Sequence, residues 1–262
     1  MNNLRGVYTI WYRDLLRFWH DKMRMIGSMT LPLLFLFVFG SGLSTRMGSL
    51  GPEIDFAQFM FPGIIGMTVL MSSFMGGVSV VWDREFGFLK EVLVAPISRA
   101  SVVIGKMLGS ATVALLQGII MLLFAPLIGV SLSLLTVLAL LPLMLLLSAS
   151  MGSLGILLAT RIRSMEAFQA VMQMLMFPMV FLSGVFFPPQ GLPAWMNVLV
   201  KINPATYGIA PIREVMLGAS PDSAFSVNLL GHTMSLWDNI AVLALFGLAM
   251  ILLAMWSLSN QE

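Results

Sequence analysis

The chain has no cysteine in 262 residues, only two histidines, and only 14 Lys and Arg against 12 Asp and Glu. Without cysteine there is no disulfide framework, no thiolate metal site and no thiol nucleophile. His20 lies in the N-terminal segment and His232 in a late loop, so the pair cannot supply a two-His metal site at membrane depth. No glycine-rich loop ends in Gly-Lys-Ser or Gly-Lys-Thr, so the chain itself is not expected to cradle nucleotide phosphates. Catalytic residues, metal ligands and a nucleic-acid partner are accordingly not expected.

Apolar residues fill the chain instead. They make up 58% of it, charged residues 10%, and the mean hydropathy is +0.94. A water-soluble globule of this length does not have that composition, and the fold class expected is an all-α integral membrane protein. Stretches of about 20 apolar residues place six spans, at 25–45, 60–82, 107–128, 134–160, 167–187 and 239–258. The third and fourth come from the charge-free stretch 107–160, folded as a hairpin around Pro126, Gly129 and Ser131. The second is expected to begin near Pro62, since a proline suits a first helical turn, and Pro178 should kink the fifth.

Eleven of the 14 Lys and Arg fall on one side of this arrangement. They are Arg5, Arg13, Arg17, Lys22 and Arg24 before the first span, Arg84, Lys90, Arg99 and Lys106 between the second and third, and Arg161 and Arg163 between the fourth and fifth. Arg46, Lys201 and Arg213 fall on the other side. Positive charge is retained in the cytoplasm, so both termini are expected there, in a multi-pass protein of the cell membrane with no secretory leader.

Two cytoplasmic segments carry helical patterns. In residues 1–24, Leu4, Val7, Tyr8, Trp11, Leu15, Phe18 and Trp19 share one arc, and Arg5, Arg13, Arg17, Arg24, Asp14 and Asp21 the opposite one. This is an amphipathic helix for the membrane interface, either an anchor or a mechanical element. Residues 83–98 place Phe86, Leu89, Val92 and Leu93 at helical spacing among Asp83, Arg84, Lys90 and Glu91; Pro96 then stops that helix, and Ser98 is positioned to cap the next. A short amphipathic helix on a loop suits a groove on a soluble partner, and a solvated charged loop is the plainer alternative.

The run Asp83, Arg84, Glu85, Phe86, Gly87, Phe88, Leu89, Lys90, Glu91, followed by Leu93, Val94, Ala95, Pro96, Ser98, Arg99, Gly105 and Lys106, resembles the corresponding segment of ABC-2 type transport permeases, the membrane subunits of ATP-binding cassette exporters. A second similarity lies between spans five and six, in Ser183, Gly184, Phe187, Pro188, Leu192, Pro193, Trp195, Asn203, Pro204, Tyr207 and Arg213, with Ala205 where a larger apolar residue is usual. The similarity covers essentially the whole chain, and its form is nearer the drug-exporter branch. It implies a half-transporter working with a second permease copy or a sister permease and with two ATP-binding cassette subunits, which carry the ATP and Mg. It further implies ATPase contact through Glu85, Phe86, Leu89, Lys90, Glu91, Leu93 and Arg99, with Arg161, Arg163 and Glu166 as a second contact or as simple charge anchors. Residues 188–220 become external re-entrant helices, whose motif residues are Ser183, Gly184, Pro188, Pro193, Asn203, Pro204, Tyr207 and Arg213.

The cargo path is less marked. No buried charge is expected inside a span, which disfavours proton or ion coupling. Gln169 and Gln173 share a face of the fifth span and suit either a substrate path or a dimer interface. The 23 methionines suit a soft cavity or lipid-facing filler. The function expected is export of an amphiphile, such as a drug-like compound, lipid or lipid-linked glycan, by alternating access. A membrane scaffold or an intramembrane hydrolase with no ATPase partner is the alternative.

Overall fold

The computed structural model describes residues 3–47, 56–87, 97–162, 164–187, 192–218, 228–229 and 232–260. Among them the regular structure is helical apart from a two-residue antiparallel ladder pairing Asn228 with Thr233 and Leu229 with His232. The helices are α1 (Asn3–His20), α2 (Lys22–Met47), α3 (Phe56–Ser73), α4 (Met75–Glu85), α5 (Arg99–Leu122), α6 (Leu134–Arg161), α7 (Met165–Phe181), α8 (Ala194–Ile202), α9 (Pro204–Leu217) and α10 (Leu236–Ser259).

Polar caps set where most of the later helices begin. The Ser98, Ser133 and Ser164 hydroxyls accept from the backbone N–H groups of Ser101, Thr136 and Ala167, Asn203 accepts from Ala205, and Ser235 forms a reciprocal box with Asp238. Each satisfies a donor that a helix start would otherwise leave unpaired, which matters most where water is scarce.

Among the described residues four helices are long and apolar enough to cross a membrane: the rod Phe56–Glu85 formed by α3 and α4, α5, α6 and α10. The apolar helical stretches Met25–Val38 in α2 and Met165–Phe181 in α7 are shorter. Burial ranks the four, from 83% of the apolar window in the α3–α4 rod down to 22% in α10. The rod is therefore the central post, apolar all round. Around it, α2 packs on α3, α5 and α6 pack on each other and on α3, α9 fills the space between α3, α6 and α10, and α1 lies along α5.

Several boundaries differ from those expected. The second long helix starts at Phe56, so Pro62 sits in its interior. Burial of Phe56, Phe59 and Met60 extends the helix ahead of the proline, and packing on neighbours makes an interior proline tolerable. The rod is broken at Phe74, where the Gly77 N–H bonds back only three residues, to Phe74 O at 2.9 Å. There α4 approaches α6 closely: a Cβ on Gly77 would collide with the Gly155 carbonyl and lie 2.6 Å from Phe168 Cζ. The next helix begins at Arg99, eight residues before 107, and ends at Leu122, with a 3-10 turn at Ala125–Ile128 and Gly129 in the left-handed region. The fifth expected span, 167–187, is a helix only over Met165–Phe181, after which the chain turns through Gly184 at φ 80°. Residues 192–218 form α8 and α9.

Candidate functional site

The charged segment 83–98 does not begin outside the bundle. Asp83, Arg84 and Glu85 are the last turn of α4, Phe86 and Gly87 close it, and residues 88–96, with Leu89, Lys90, Glu91 and Leu93, lie outside the described residues. What is described are the two feet of that segment, and both are fastened to the bundle.

The first foot ends in a buried ionic cluster. Ser79 and Asp83 are four residues apart on one face of α4, Arg13, Asp14 and Arg17 lie on α1, and Lys106 enters from α5. Lys106 Nζ donates to Asp83 Oδ2 and Ser79 Oγ, both at 2.5 Å, and lies 3.2 Å from Asp14 Oδ2. Arg13 Nη2 bridges Asp83 Oδ2 at 2.6 Å and Asp14 Oδ1 at 3.0 Å. Arg17 stands 3.6 Å from Asp83 Oδ1, with its guanidinium 5.1 Å above the Trp82 ring. Side-chain exposure is 2% for Lys106, 6% for Asp83 and 9% for Asp14. Burial pulls the Arg13 guanidinium down, but Asp83 and Asp14 outweigh it and hold it above the usual arginine value. A cavity of about 30 Å³, large enough to admit water, adjoins the cluster and is lined by Asp14, Ser72, Ser79 and Ser110 among others.

This cluster corrects two expectations. Charges are buried inside the long helices, in Asp83 and Lys106, because each meets its opposite within the bundle. The polar arc of the N-terminal helix does not face away from the protein: Arg13 and Asp14 turn inward, and Gly6, Ile10 and Phe18 are buried. Trp11 donates to Thr112 Oγ1 at 2.9 Å. The outward stripe is apolar, with Leu4 80%, Tyr8 60% and Trp19 67% exposed. The Ser79–Lys106 contact also has the spacing of a serine–lysine dyad. As an ammonium, however, Lys106 directs its three protons to Asp83, Asp14 and Ser79, leaving no lone pair to take a seryl proton.

Two arginines make further attachments. Arg84 Nη1 donates to Ala159 O at 3.1 Å and Ile162 O at 3.0 Å, and Nη2 to Thr160 O at 3.2 Å, at the C-terminus of α6. On the second foot, Arg99 Nη1 donates to Leu258 O at 2.9 Å and Ser259 O at 2.5 Å, at the C-terminus of α10. Asn3 Oδ1 accepts from the Ser98 N–H at 3.3 Å, and Gly6 rests against Ile97. Glu85 and Phe86 reach the surface, with Phe86 70% exposed and stacked on Trp82. Arg161 lies over the Trp256 ring of α10, Glu166 is exposed in the first turn of α7, and Arg163 lies outside the described residues.

The second motif gathers at the other end of the rod, about 35 Å away at 1.5 Å per residue. Arg213 is 2% exposed, donates from Nη2 to Gly184 O at 2.5 Å, and sits 4.4 Å above the Phe59 ring. Asn203 donates to Met179 O at 2.8 Å, the Tyr207 hydroxyl to Lys201 O at 2.6 Å, and the Ser183 hydroxyl to Val180 O at 2.7 Å. Pro204 opens α9, Pro193 is exposed, and Pro188 lies outside the described residues. The motif thus fastens the end of α7 to α8 and α9. Gln169 is exposed on α7, and Gln173 is the polar residue lining an otherwise apolar cavity of about 80 Å³ between α2, α3 and α7, with Phe35, Met67, Met71 and Met176.

Asp14, Ser79 and Lys106 were not expected to share a site. One signal was available: once Ser98 is read as a cap, Lys106 lies eight residues, about 12 Å, inside the helix, too deep for an unpaired flanking charge.

An apolar helix bundle with one charged, multiply fastened end is the architecture of a multi-pass membrane protein. The sequence profile of the family described as ABC-2 type transporter matches residues 5–217, and the chain belongs to that family. It is 28% identical to the transport permease ycf38 of Cyanophora paradoxa, covering 87% of this chain and 80% of the relative. It is 26% identical to nodulation protein J of Rhizobium leguminosarum bv. trifolii, covering 74% of each, and 22% identical to the daunorubicin resistance ABC transporter permease protein DrrB1 of Streptomyces coeruleorubidus, covering 80% and 74%. The protein is a membrane transport permease of a family that works with an ATP-binding cassette ATPase.

Proposed function

We propose that this chain is the permease subunit of an ATP-driven exporter that moves an amphiphilic compound out across the cell membrane by alternating access. The observation that carries the reading is the fastening of the residues on either side of 88–96: one foot is held by the Asp83–Lys106–Arg13 cluster and the other by Arg99 and Ser98. A segment anchored at both feet can pass a displacement into the bundle. In this reading Glu85, Phe86, Leu89, Lys90, Glu91 and Leu93 meet the ATPase, which holds ATP and Mg, and two such subunits serve two permeases, identical or sister. The helices α2, α3–α4, α5, α6, α7 and α10 are six spans, both termini are cytoplasmic, and α8 and α9 re-enter from outside. The cavity beside Gln173, with three methionines, supplies adaptable apolar wall to the cargo path.

The test is purification of the tagged protein from its native membranes in mild detergent, with mass spectrometry and an ATPase assay. The expected result is a stoichiometric ATP-hydrolysing partner that is lost when Leu89 and Leu93 are changed to Asp. A stable assembly containing no ATPase overturns the reading in favour of a scaffold or a hydrolase.

A further inference from the structure

Between Phe59 and Asp83 the α3–α4 rod is buried except at Met71, Met75, Val78, Ser79 and Trp82. These stand at i, i+4, i+7, i+8 and i+11, the spacing of one helical face, so the central post keeps a single open stripe. From Met71 to Trp82 the stripe runs 11 residues, about 16 Å. One leaflet of hydrocarbon is about 15 Å deep, half of a core of about 30 Å.

At its charged end the stripe closes on donors that lack acceptors. Arg17, 40% exposed, makes no hydrogen bond among the described residues: it stands 3.6 Å from Asp83, with its guanidinium over the Trp82 ring. The Trp82 indole N–H has no acceptor among the described residues either, and its ring, 41% exposed, stacks on Phe86. The cavity beside the cluster is lined by Arg17 and Met75 as well, and by Ser72, whose hydroxyl is buried with no hydrogen-bond partner among the described residues. We propose that this stripe seats one anionic phospholipid of the leaflet that meets the charged end of the bundle, its phosphate on Arg17 and Trp82 and one acyl chain laid over Val78, Met75 and Met71. Such a site requires only a multi-pass membrane protein and is independent of the exporter reading.

Charge selects the headgroup. Three cations, Arg13, Arg17 and Lys106, face two carboxylates, Asp14 and Asp83, and Arg13 and Lys106 engage both carboxylates at 3.2 Å or less. The surplus positive charge therefore falls to Arg17, the most exposed of the five. Glu85, the next carboxylate along α4, lies one turn beyond Trp82, past the end of the stripe. A guanidinium matches two phosphate oxygens with a rigid fork of donors, and a tryptophan suits the level where hydrocarbon gives way to headgroups. A choline headgroup would bring its own cation against this surplus charge, so a lipid of net negative charge is preferred. An acidic segment of a soluble partner would satisfy Arg17 but leave the apolar part of the stripe, at membrane depth, without an occupant.

Because the chain has no cysteine, a single fluorescent label can be placed without background. Met71→Cys, at the far end of the stripe, and Leu138→Cys, exposed on α6, each carrying bimane, are reconstituted separately as full-length protein in phosphatidylcholine vesicles. Quenching is read as brominated phosphatidylglycerol or brominated phosphatidylcholine is mixed in. The expected result is that at position 71 the glycerol lipid quenches at a several-fold lower fraction than the choline lipid, while at position 138 the two quench alike. Arg17→Gln should remove the preference and Arg17→Lys keep part of it. Trp82→Phe, which loses only the N–H end of the ring system and leaves every charge of the cluster in place, should reduce it. Equal quenching by the two lipids at position 71 in the otherwise unaltered protein overturns the proposal. So does a preference that survives Arg17→Gln and Trp82→Phe together, or one that Arg5→Gln, at the other end of α1, removes as fully as Arg17→Gln, since diffuse positive charge would then suffice. A preference kept by Arg17→Gln while that variant loses a soluble partner on purification from native membranes assigns Arg17 to the partner and overturns it as well.

Discussion

Replacing Lys106 with Met tests whether the buried cluster holds three helices together. The substitution keeps much of the side-chain length and removes one cation from a group of three, leaving Arg13 and Arg17 to face Asp14 and Asp83. Breaking a buried ion pair costs about 3–5 kcal/mol. The lower end, about 3 kcal/mol, applies here, because Arg13 still bridges both carboxylates and neither is orphaned. Asp83→Asn removes the negative charge shared by Lys106, Arg13 and Arg17 and turns one of its two acceptor oxygens into a donor, and its cost is also expected at about 3 kcal/mol. The two changes together remove both members of the closest pair and return the cluster to its parent net charge, so the double variant should be better than the sum of the singles by about 1–3 kcal/mol, the range for directly coupled residues. Reversible denaturation in lipid-detergent micelles gives the three values. The coupling should also survive an increase in salt, because Lys106 and Asp83 are out of reach of counterions. Additivity within about 0.5 kcal/mol, or a Lys106→Met variant as stable as the parent, would refute the argument that this cluster fastens α1 and α5 to α4.

Gly77→Ala should cost about 1–3 kcal/mol by overpacking, because its Cβ meets the Gly155 carbonyl and Phe168. Gly27→Ala, which has open space around its Cβ, should be neutral or stabilising by up to about 1 kcal/mol from helix propensity; thermal unfolding of the two variants side by side checks both. Arg213→Met should lose about 1.5–3 kcal/mol, the worth of a hydrogen bond from a charged donor, with increased hydrogen exchange concentrated around Gly184 and α9.

Much of the helical framework is legible in the sequence, for reasons of local chemistry. Ser98 reads as a cap, and it starts a helix because a hydroxyl can satisfy the first free N–H groups wherever the chain lies; Ser133 and Ser164 cap α6 and α7 in the same way without having been singled out. The turn near Pro126 and Gly129 is similarly local, one residue lacking a donor and the other adopting positive φ. Pro62 misleads because a proline near an apolar start fits both a first turn and an interior position, and only the burial of Phe56 and Phe59 against other helices decides between them. The candidate site is legible as a segment but not as a network. Asp83 and Lys106 look like flanking charges from composition, and their partners Arg13 and Asp14 are 65 or more residues distant in sequence, on a helix whose own periodicity says nothing about which neighbour it meets. The inward roles of Arg84 and Arg99 depend on where the ends of α6 and α10 come to rest, which no spacing within 83–98 encodes.

The cluster also imposes a timetable on synthesis. Arg13 is made 70 residues before Asp83, and Asp14 is made 92 residues before Lys106. At about 5–20 residues per second, the first helix waits on the order of 5–20 s for its last ionic partner. During that interval its exposed stripe of Leu4, Tyr8 and Trp19 has the apolar character that suits a bilayer surface, and its charged side has no Asp83 or Lys106 to meet until α4 and α5 are made. α1 is therefore made well before α4 and α5, yet its ionic locks close only when they arrive.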